Sequence, residues 1–274
     1  AINYNSTATV DDASCIYYGC IDSSALNYNP LVTIDDNSCF YSVQTALNSG
    51  LCLDYMLNLG IPIDSLIGKY FEGGLLFHID QSNNMAFIAN DDEIGFAAWG
   101  CYPNGIANQA FNTSIGTGYQ NTIDIINAGC VQSTEAAALC YNLNLNGFDD
   151  WFLPSRDEID KIYQELIIPG NNLGSYSTGF GHWSSSQHQL VNTPPSQNMS
   201  IYVGFASGQN GNYLPPYYAE GSGNGNRQVI ATRQTTLDGC IYGCMDSLAY
   251  NYNSAANVAN GICVYYGCMD SSMY

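Results

Sequence analysis

The residues of this chain whose type and spacing could do chemistry are its eleven cysteines, at positions 15, 20, 39, 52, 101, 130, 140, 240, 244, 263 and 268. Closely spaced thiols either ligate a metal or oxidise to disulfides. Structural zinc is held by C-x₂-C knuckles or by clustered Cys and His. The close pairs here are Cys15-x₄-Cys20, Cys240-x₃-Cys244 and Cys263-x₄-Cys268, with no histidine beside them. Disulfides fit better, and disulfides persist in oxidising, extracytoplasmic surroundings. An odd number leaves at least one cysteine without a partner in the chain. Cys20 and Cys39 are 19 positions apart, as are Cys244 and Cys263, while Cys15–Cys39 and Cys244–Cys268 are both 24 apart. A spacing that recurs at two places is the mark of a repeat. The expected bridges are Cys20–Cys39 and Cys244–Cys263. Cys52–Cys240 and one bridge among Cys101, Cys130 and Cys140 are secondary expectations, and Cys15 and Cys268 are assigned to inter-repeat or inter-chain bonding.

The residues around these cysteines repeat as well. GCIDSSALNYNPLVTIDDNSC at 19–39 aligns with GCMDSLAYNYNSAANVANGIC at 243–263. A unit of two dozen residues cannot bury a core of its own. A bridge closing such a loop is worth roughly 3 kcal/mol in the chain-entropy account. Asn-Tyr-Asn suits turns, because Asn accepts left-handed φ and bonds its own backbone. Its Tyr is expected to supply the unit's large apolar contact. These units resemble short Cys/Asp/Asn-Tyr-Asn repeats that occur in tandem in secreted proteins of marine bacteria. The resemblance covers roughly 1–41 and 239–274.

Calcium is the one cofactor the repeat admits. Asp22, Asn27, Asn29, Asp35 and Asp36 present hard oxygen ligands of the kind calcium takes. The D-x-D-x-D-G loop is absent, however, and the later copy has Ala259-Asn260 where the first has Asp35-Asp36. Asx-turns on a solvated acidic loop are the favoured reading. Catalytic signatures are missing: the chain contains neither H-E-x-x-H nor G-x-S-x-G, and no glycine loop that would cradle phosphate. His182-x₅-His188 sits in a Ser/Gln-rich stretch read as a loop and is only a weak metal candidate.

Charge narrows the partners. Five Lys and Arg face 24 Asp and Glu, a formal net charge of −19 over 274 residues. Nucleic acid is excluded, since almost no cation is present to displace counterions from phosphates, and an anionic membrane surface is disfavoured. No run approaches 18 apolar residues, so no membrane span is expected. No initiator Met and no signal peptide is seen, which reads as a mature chain or a fragment. Three N-x-S/T sequons, at Asn5, Asn112 and Asn198, permit glycosylation.

These observations give an order of elements: disulfide-stapled repeats at 1–41, a linker or helical segment at 42–67, a central domain at 68–238, and repeats again at 239–274. Spaced leucines predict a short helix around 43–58. GKYFEGGLLFHID and NNMAFIAN read as strands. A helix capped by Ser133 or Thr134 is expected through TEAAALCYNL. Ser155 and Glu158 form a capping box for the next helix. Its buried face should be Ile159, Ile162, Tyr163 and Leu166, and its end Gly170. HWSSSQ, SIYVGFASG and RQVIATRQ read as further short strands. Two main helices among many short strands give an α+β fold class.

GGLLFHID, AWGCYPNGI, IGTGYQNT, AAALCYNLNLNGFDDWFLPSRDEID, HWSSS, IYVGFASGQNGN and RQVIATR follow one another in this order. In this the central domain resembles the C-terminal domain family of bacterial collagen-like adhesins. That family is similar to C-type lectin-like domains of the formylglycine-generating-enzyme branch. The resemblance implies a mixed fold with long surface loops, and binding or display rather than chemistry. Cys130 and Cys140 invite comparison with a two-cysteine copper site, but a bridge or a buried thiol fits a predicted helix better. Asp150 is expected to tie a turn to backbone amides, and Arg233 to be structural. With so few cations, sulfated glycans are poor ligands for this chain.

Residues 171–226 are rich in Gly, Asn, Ser and Tyr, the composition of adaptable binding loops. Trp183, Tyr202, Tyr213, Tyr217 and Tyr218 are the candidate binding residues there. The chain also opens on the second half of a repeat and closes on the first half of another. This reads either as a slice of a longer tandem array, the favoured alternative, or as protomers that complete one another head to tail. The expected role is a non-enzymatic structural or adhesive protein outside the cell, a unit of a fibre or stalk. Its partners are neighbouring repeats or copies of itself. The alternative is a glycan- or protein-binding adhesin module; a secreted enzyme ranks last.

Overall fold

The computed structural model describes residues 9–10, 15–101, 110–129, 131–167, 173–177, 180–188, 199–204, 217–221, 225–237, 241–244, 246–256, 258–259 and 263. It is a mixture of helix and sheet compatible with the α+β class. The chain divides into two compact units, Ala1–Leu66 with Thr236–Tyr274, and Ile67–Thr235.

In the flanking unit, β1 (Tyr18–Gly19) pairs in parallel with β2 (Ile34–Asp35). The Cys20–Cys39 disulfide closes the same loop, with Cα atoms 4.8 Å apart. The segment expected as one helix over 43–58 is two, α1 (Val43–Asn48) and α2 (Leu53–Asn58), and a short α3 (Ile63–Leu66) follows. The break is physical. Gly50 takes a φ of 88°, in the left-handed region that ends a helix and suits glycine. Ser42 caps α1, its hydroxyl accepting from Thr45 N at 3.1 Å. Val43, Ala46, Leu47, Leu53, Met56 and Leu66 are buried, so 42–66 is a packed helical segment grouped with the repeats.

The central unit opens on a hairpin of β3 (Tyr70–Phe71) and β4 (Gly74–Asp80), turned at Glu72-Gly73 with both φ positive. β5 (Met85–Ala89) pairs antiparallel with β4, and β6 (Gly95–Ala97) follows. Three helices come next: α4 (Gly118–Asn127), α5 (Ala136–Tyr141) and α6 (Arg156–Ile162), the last continuing as a π-helix over Tyr163–Ile167. Then come β7 (Gly181–His188), β8 (Met199–Gly204), β9 (Tyr217–Gly221), β10 (Arg227–Val229) and β11 (Thr232–Thr236). Two sheets result, ordered β6-β10-β7-β8-β9 and β11-β5-β4-β3.

Between β10 and β11 the chain passes from one sheet to the other, and its side chains alternate as a strand's must. Val229 and Ala231 enter one core with Trp99, Trp151 and Trp183; Ile230 enters the other with Phe77, Phe87 and Tyr163. Asn90 fixes the crossing. Its Oδ1 accepts from Ala231 N at 2.7 Å, its own N donates to Ala231 O at 3.0 Å, and its carbonyl accepts from the Tyr176 hydroxyl at 2.6 Å.

The flanking unit closes with β12 (Tyr242–Gly243) and β13 (Val258–Ala259), again a parallel pair, and with the Cys244–Cys263 disulfide, Cα atoms 5.0 Å apart.

Candidate functional site

The two repeats agree bond for bond. Asp22 Oδ1 accepts from Ser24 N, and Asp246 Oδ1 from Leu248 N, both at 2.9 Å. Ala25 N donates to Asp22 O, and Ala249 N to Asp246 O, both at 3.0 Å. Asn29 N donates to Cys20 O and Asn253 N to Cys244 O, at 3.2 and 2.9 Å. Asn29 Oδ1 accepts from Leu31 N at 3.0 Å, and Asn253 Oδ1 from Ala255 N at 3.1 Å. Asx-turns at Asp22 and Asn29, and at Asp246 and Asn253, therefore bracket each repeat, and the Asn backbone bonds back to the bridged cysteine. The tyrosine departs from expectation: Tyr28 and Tyr252 are 42% and 45% exposed. The buried side chains are Ala25 with Cys20, and Ala249 with Cys244, so the crosslink and a small alanine form the miniature core.

The calcium candidates are engaged in this same backbone work. Asp22 Oδ1 also accepts from Ser24 Oγ at 2.8 Å, and Asp22 Oδ2 from the Tyr41 hydroxyl at 2.8 Å. These hydrogen bonds, the Ser24 backbone first, hold the carboxyl below its ordinary range. Asn27 bridges Ser38 O and Phe40 N, while Asp35 and Asp36 accept from Asn37 N and Ser38 N at 3.0 Å each. Among the described residues no three His, Cys, Asp or Glu are grouped as a metal would need.

Both principal disulfides stand as expected. Cys52 and Cys101 are disulfide-bonded too, to partners outside the described residues, where Cys130, Cys240 and Cys268 also lie. Cys15 is a free, exposed thiol. Cys140, on α5, is a free thiol buried in the core, and burial pushes its ionisation far up, which leaves it inert as a nucleophile.

In the central unit the DDWFLPSRDE stretch organises everything near it. Trp151, Phe152 and Leu153 are buried, and Phe152 exchanges backbone hydrogen bonds with Thr232 at 2.7 and 2.9 Å. Ser155 caps α6 and Glu158 completes the box, accepting from Ser155 N at 2.7 Å. Glu158 also accepts from Gly116 N at 2.8 Å and Gly118 N at 3.3 Å. Only glycine fits at 118: a Cβ there would stand 2.3 Å from Glu158 Oε2. Burial raises the Glu158 carboxyl to about 7 despite these donors. A buried carboxyl of that kind is a functional-site signal, but here both oxygens are spent on the turn and the cap.

Asp150 does not tie a turn to amides. It holds Arg233 in a fork, Nε to Oδ1 at 2.7 Å and Nη2 to Oδ2 at 3.0 Å. Glu72 takes Arg233 Nη1 at 2.8 Å, and the guanidinium lies 4.0 Å over the Phe148 ring. Burial would lower the Arg233 pKa, but Asp150 and Glu72 more than offset it.

The expected binding residues are distributed differently. Trp183 is not on a loop: it lies on β7, the middle strand of its sheet, 1% exposed, with its indole N–H on Ala97 O at 2.9 Å. Tyr202 pairs with it across the sheet and meets it edge-on, while Arg227 lies 4.5 Å over the Tyr202 ring. Both aromatics are therefore packing residues. Tyr217 and Tyr218 lie on β9, and Tyr213 lies outside the described residues. The stretch read as a Ser/Gln-rich loop is the same strand β7. Its bulge buries Ser184, Ser185 and Ser186, whose hydroxyls and amides bond Ile201, Asn121, Asn112 and Pro154. His182 is buried against Glu93 at 2.7 Å, its Nε2 engaged there. Burial works to raise the Glu93 carboxyl, yet the bonds from His182 and Ser177 hold it below its ordinary range.

What sequence reasoning missed is a groove of about 470 Å³ where α4, α5 and the signature loop meet. Tyr119, Tyr141, Asn142, Leu143, Asn144, Asp149, Asp150 and Trp151 line it. Helix α4 was itself missed. Its buried face is Gly118, Asn121, Thr122 and Ile125, so hydrophobic periodicity could not reveal it. The available signal was the pair of aromatics, Tyr141 and Trp151, flanking the Asn-rich NLNLNGFDD run. No family model matches the chain, and no curated protein matches it either.

Proposed function

We propose that this chain is a non-enzymatic structural and adhesive protein outside the cell, a repeating unit of a fibre or stalk that carries a C-type lectin-like domain. The observation that supports this is the equivalence of the two repeats. A segment too small for a core is rebuilt twice with the same bridge, the same parallel pair and the same Asx-turns. Such units are useful in series, where each needs only its own crosslink. Two-sheet architecture with helices against it is compatible with the lectin-like reading, and the ordered motifs favour it. Glu158 with both oxygens engaged, His182 buried against Glu93, and the buried thiol of Cys140 favour packing over catalysis in the central unit.

Electron microscopy of native cell-surface material, with antibody to the central unit, tests this. Labelled filaments are expected, together with Cys20–Cys39 and Cys244–Cys263 peptides on non-reducing mass mapping. Dispersed single particles whose repeat thiols are reduced would overturn it.

A further inference from the structure

The geometry points to the groove between Tyr119 and Tyr141 as a binding site for a neutral saccharide. Its volume, about 470 Å³, is that of a small-ligand pocket. Two tyrosines from two different helices flank it, 44% and 45% exposed, so nearly half of each large side chain faces water. Tyr119 is not free to collapse: it packs edge-on against buried Phe152, centroids 5.9 Å apart. An exposed ring held in place is a ready surface for the apolar face of a sugar.

The polar lining selects the ligand's chemistry. Asn142 donates its Nδ2 to Ala138 O at 2.9 Å, which leaves its amide oxygen as an acceptor. Asn144, Asp149 and Asp150 add further oxygens, and among the described residues no cation lines the groove. Arg233, which lies behind Asp150, is committed to Asp150 and Glu72 through Nε, Nη1 and Nη2. A ligand here must therefore donate several hydrogen bonds and carry no negative charge. Polyhydroxylated rings meet both demands; sulfated, phosphorylated and sialylated glycans fail the second. A simple amine is less suited, because Asp150 is already neutralised and the aromatics flank the groove instead of forming a cage.

The site is also backed by rigid structure. Trp151 is buried behind it and bonds Phe148 O at 3.2 Å, and the Arg233 fork fixes Asp150. Little ordering is then left for the ligand to offset. This assignment stands apart from the fibre reading, since a groove binds or fails to bind whether or not units assemble.

The test uses the full chain with glucose, galactose, mannose, N-acetylglucosamine and cellobiose, read by saturation-transfer NMR and titration. Binding of at least one is expected. Tyr141→Ala should weaken it about ten-fold, and Asp149→Asn, which keeps the fold's exposed surface unchanged, several-fold. Because Tyr141 is half exposed, thermal melting should confirm that Y141A folds. No binding by any of the five at about 10 mM, where a Kd of about 1 mM would leave the site about nine-tenths occupied, overturns the proposal. So does binding that both variants leave intact, or a preference for choline or for a sulfated oligosaccharide over all five.

Discussion

The repeats and the central unit solve the same problem with opposite materials. In the repeats, almost every large apolar residue stays in contact with water: Tyr17, Tyr18, Ile21, Leu26, Tyr28, Leu31 and Ile34 are all exposed. Order comes from one covalent bond and a ladder of side-chain-to-backbone turns. In the central unit the three tryptophans are buried, and buried serines, Asn90, Glu158 and Arg233 meet backbone or side-chain partners. Small size forbids the second strategy to the first region. The difference teaches that acidity is tolerable where charge stays on turns, and must be met by backbone donors or a counter-ion where it enters a core.

The sharpest way to break this comparison is to attack each region with the other's weakness. Trp151→Ala removes a buried ring from the central core and should cost about 3–5 kcal/mol there, read by chemical denaturation. Hydrogen exchange in the repeats should not change. The reverse experiment, Cys20→Ser with Cys39→Ser, should cost the first repeat roughly 3 kcal/mol and expose 19–39 to protease, with central-unit exchange unaffected. If the double serine variant protects as well as the native chain, turns alone hold the repeat and the contrast fails.

A pH series sharpens the comparison further. Glu158 binds its proton more tightly folded than unfolded, about 7 against an ordinary 4.5. Its contribution is therefore fully present below about 4.5, and declines as pH rises through about 7. The central unit of the native chain should lose stability over that window relative to Glu158→Gln, whose profile there should be flatter. The smallest effect is expected at Asn29→Ala, which removes one Asx-turn bond to Leu31 N and should cost the repeat about 1 kcal/mol by thermal melting.

Much of this was legible because it rests on local chemistry. The capping box at Ser155 and Glu158 places α6 correctly, and Ile159, Ile162, Tyr163 and Leu166 are buried as their spacing predicts. Equal cysteine spacing led to both principal bridges. What failed depends on partners far away in sequence. HWSSSQ reads correctly as a strand, but the burial of its serines does not show in the sequence, because Pro154, Asn112, Asn121 and Ile201 satisfy them inside the sheet. Helix α4 hides its inner face behind Asn121 and Thr122, whose partners include Asn112 O and Leu153 O. The Tyr119–Tyr141 groove needs α4, which its sequence does not announce, beside α5, which the TEAAALCYNL run does. The role of Asp150 could not be read without Arg233, 83 residues on.

The parallel pairing within each repeat also has a mechanical meaning. Tyr18-Gly19 and Ile34-Asp35 run in the same direction, with Cys20 joined to Cys39 just beyond them. Tension drawn along the backbone crosses that sulfur bond and bypasses the residues between. Those residues, which at full stretch would span roughly 60 Å, cannot be paid out as slack while the bond is intact. Each repeat thus behaves as an inextensible link, and a reductant would turn it into a spring.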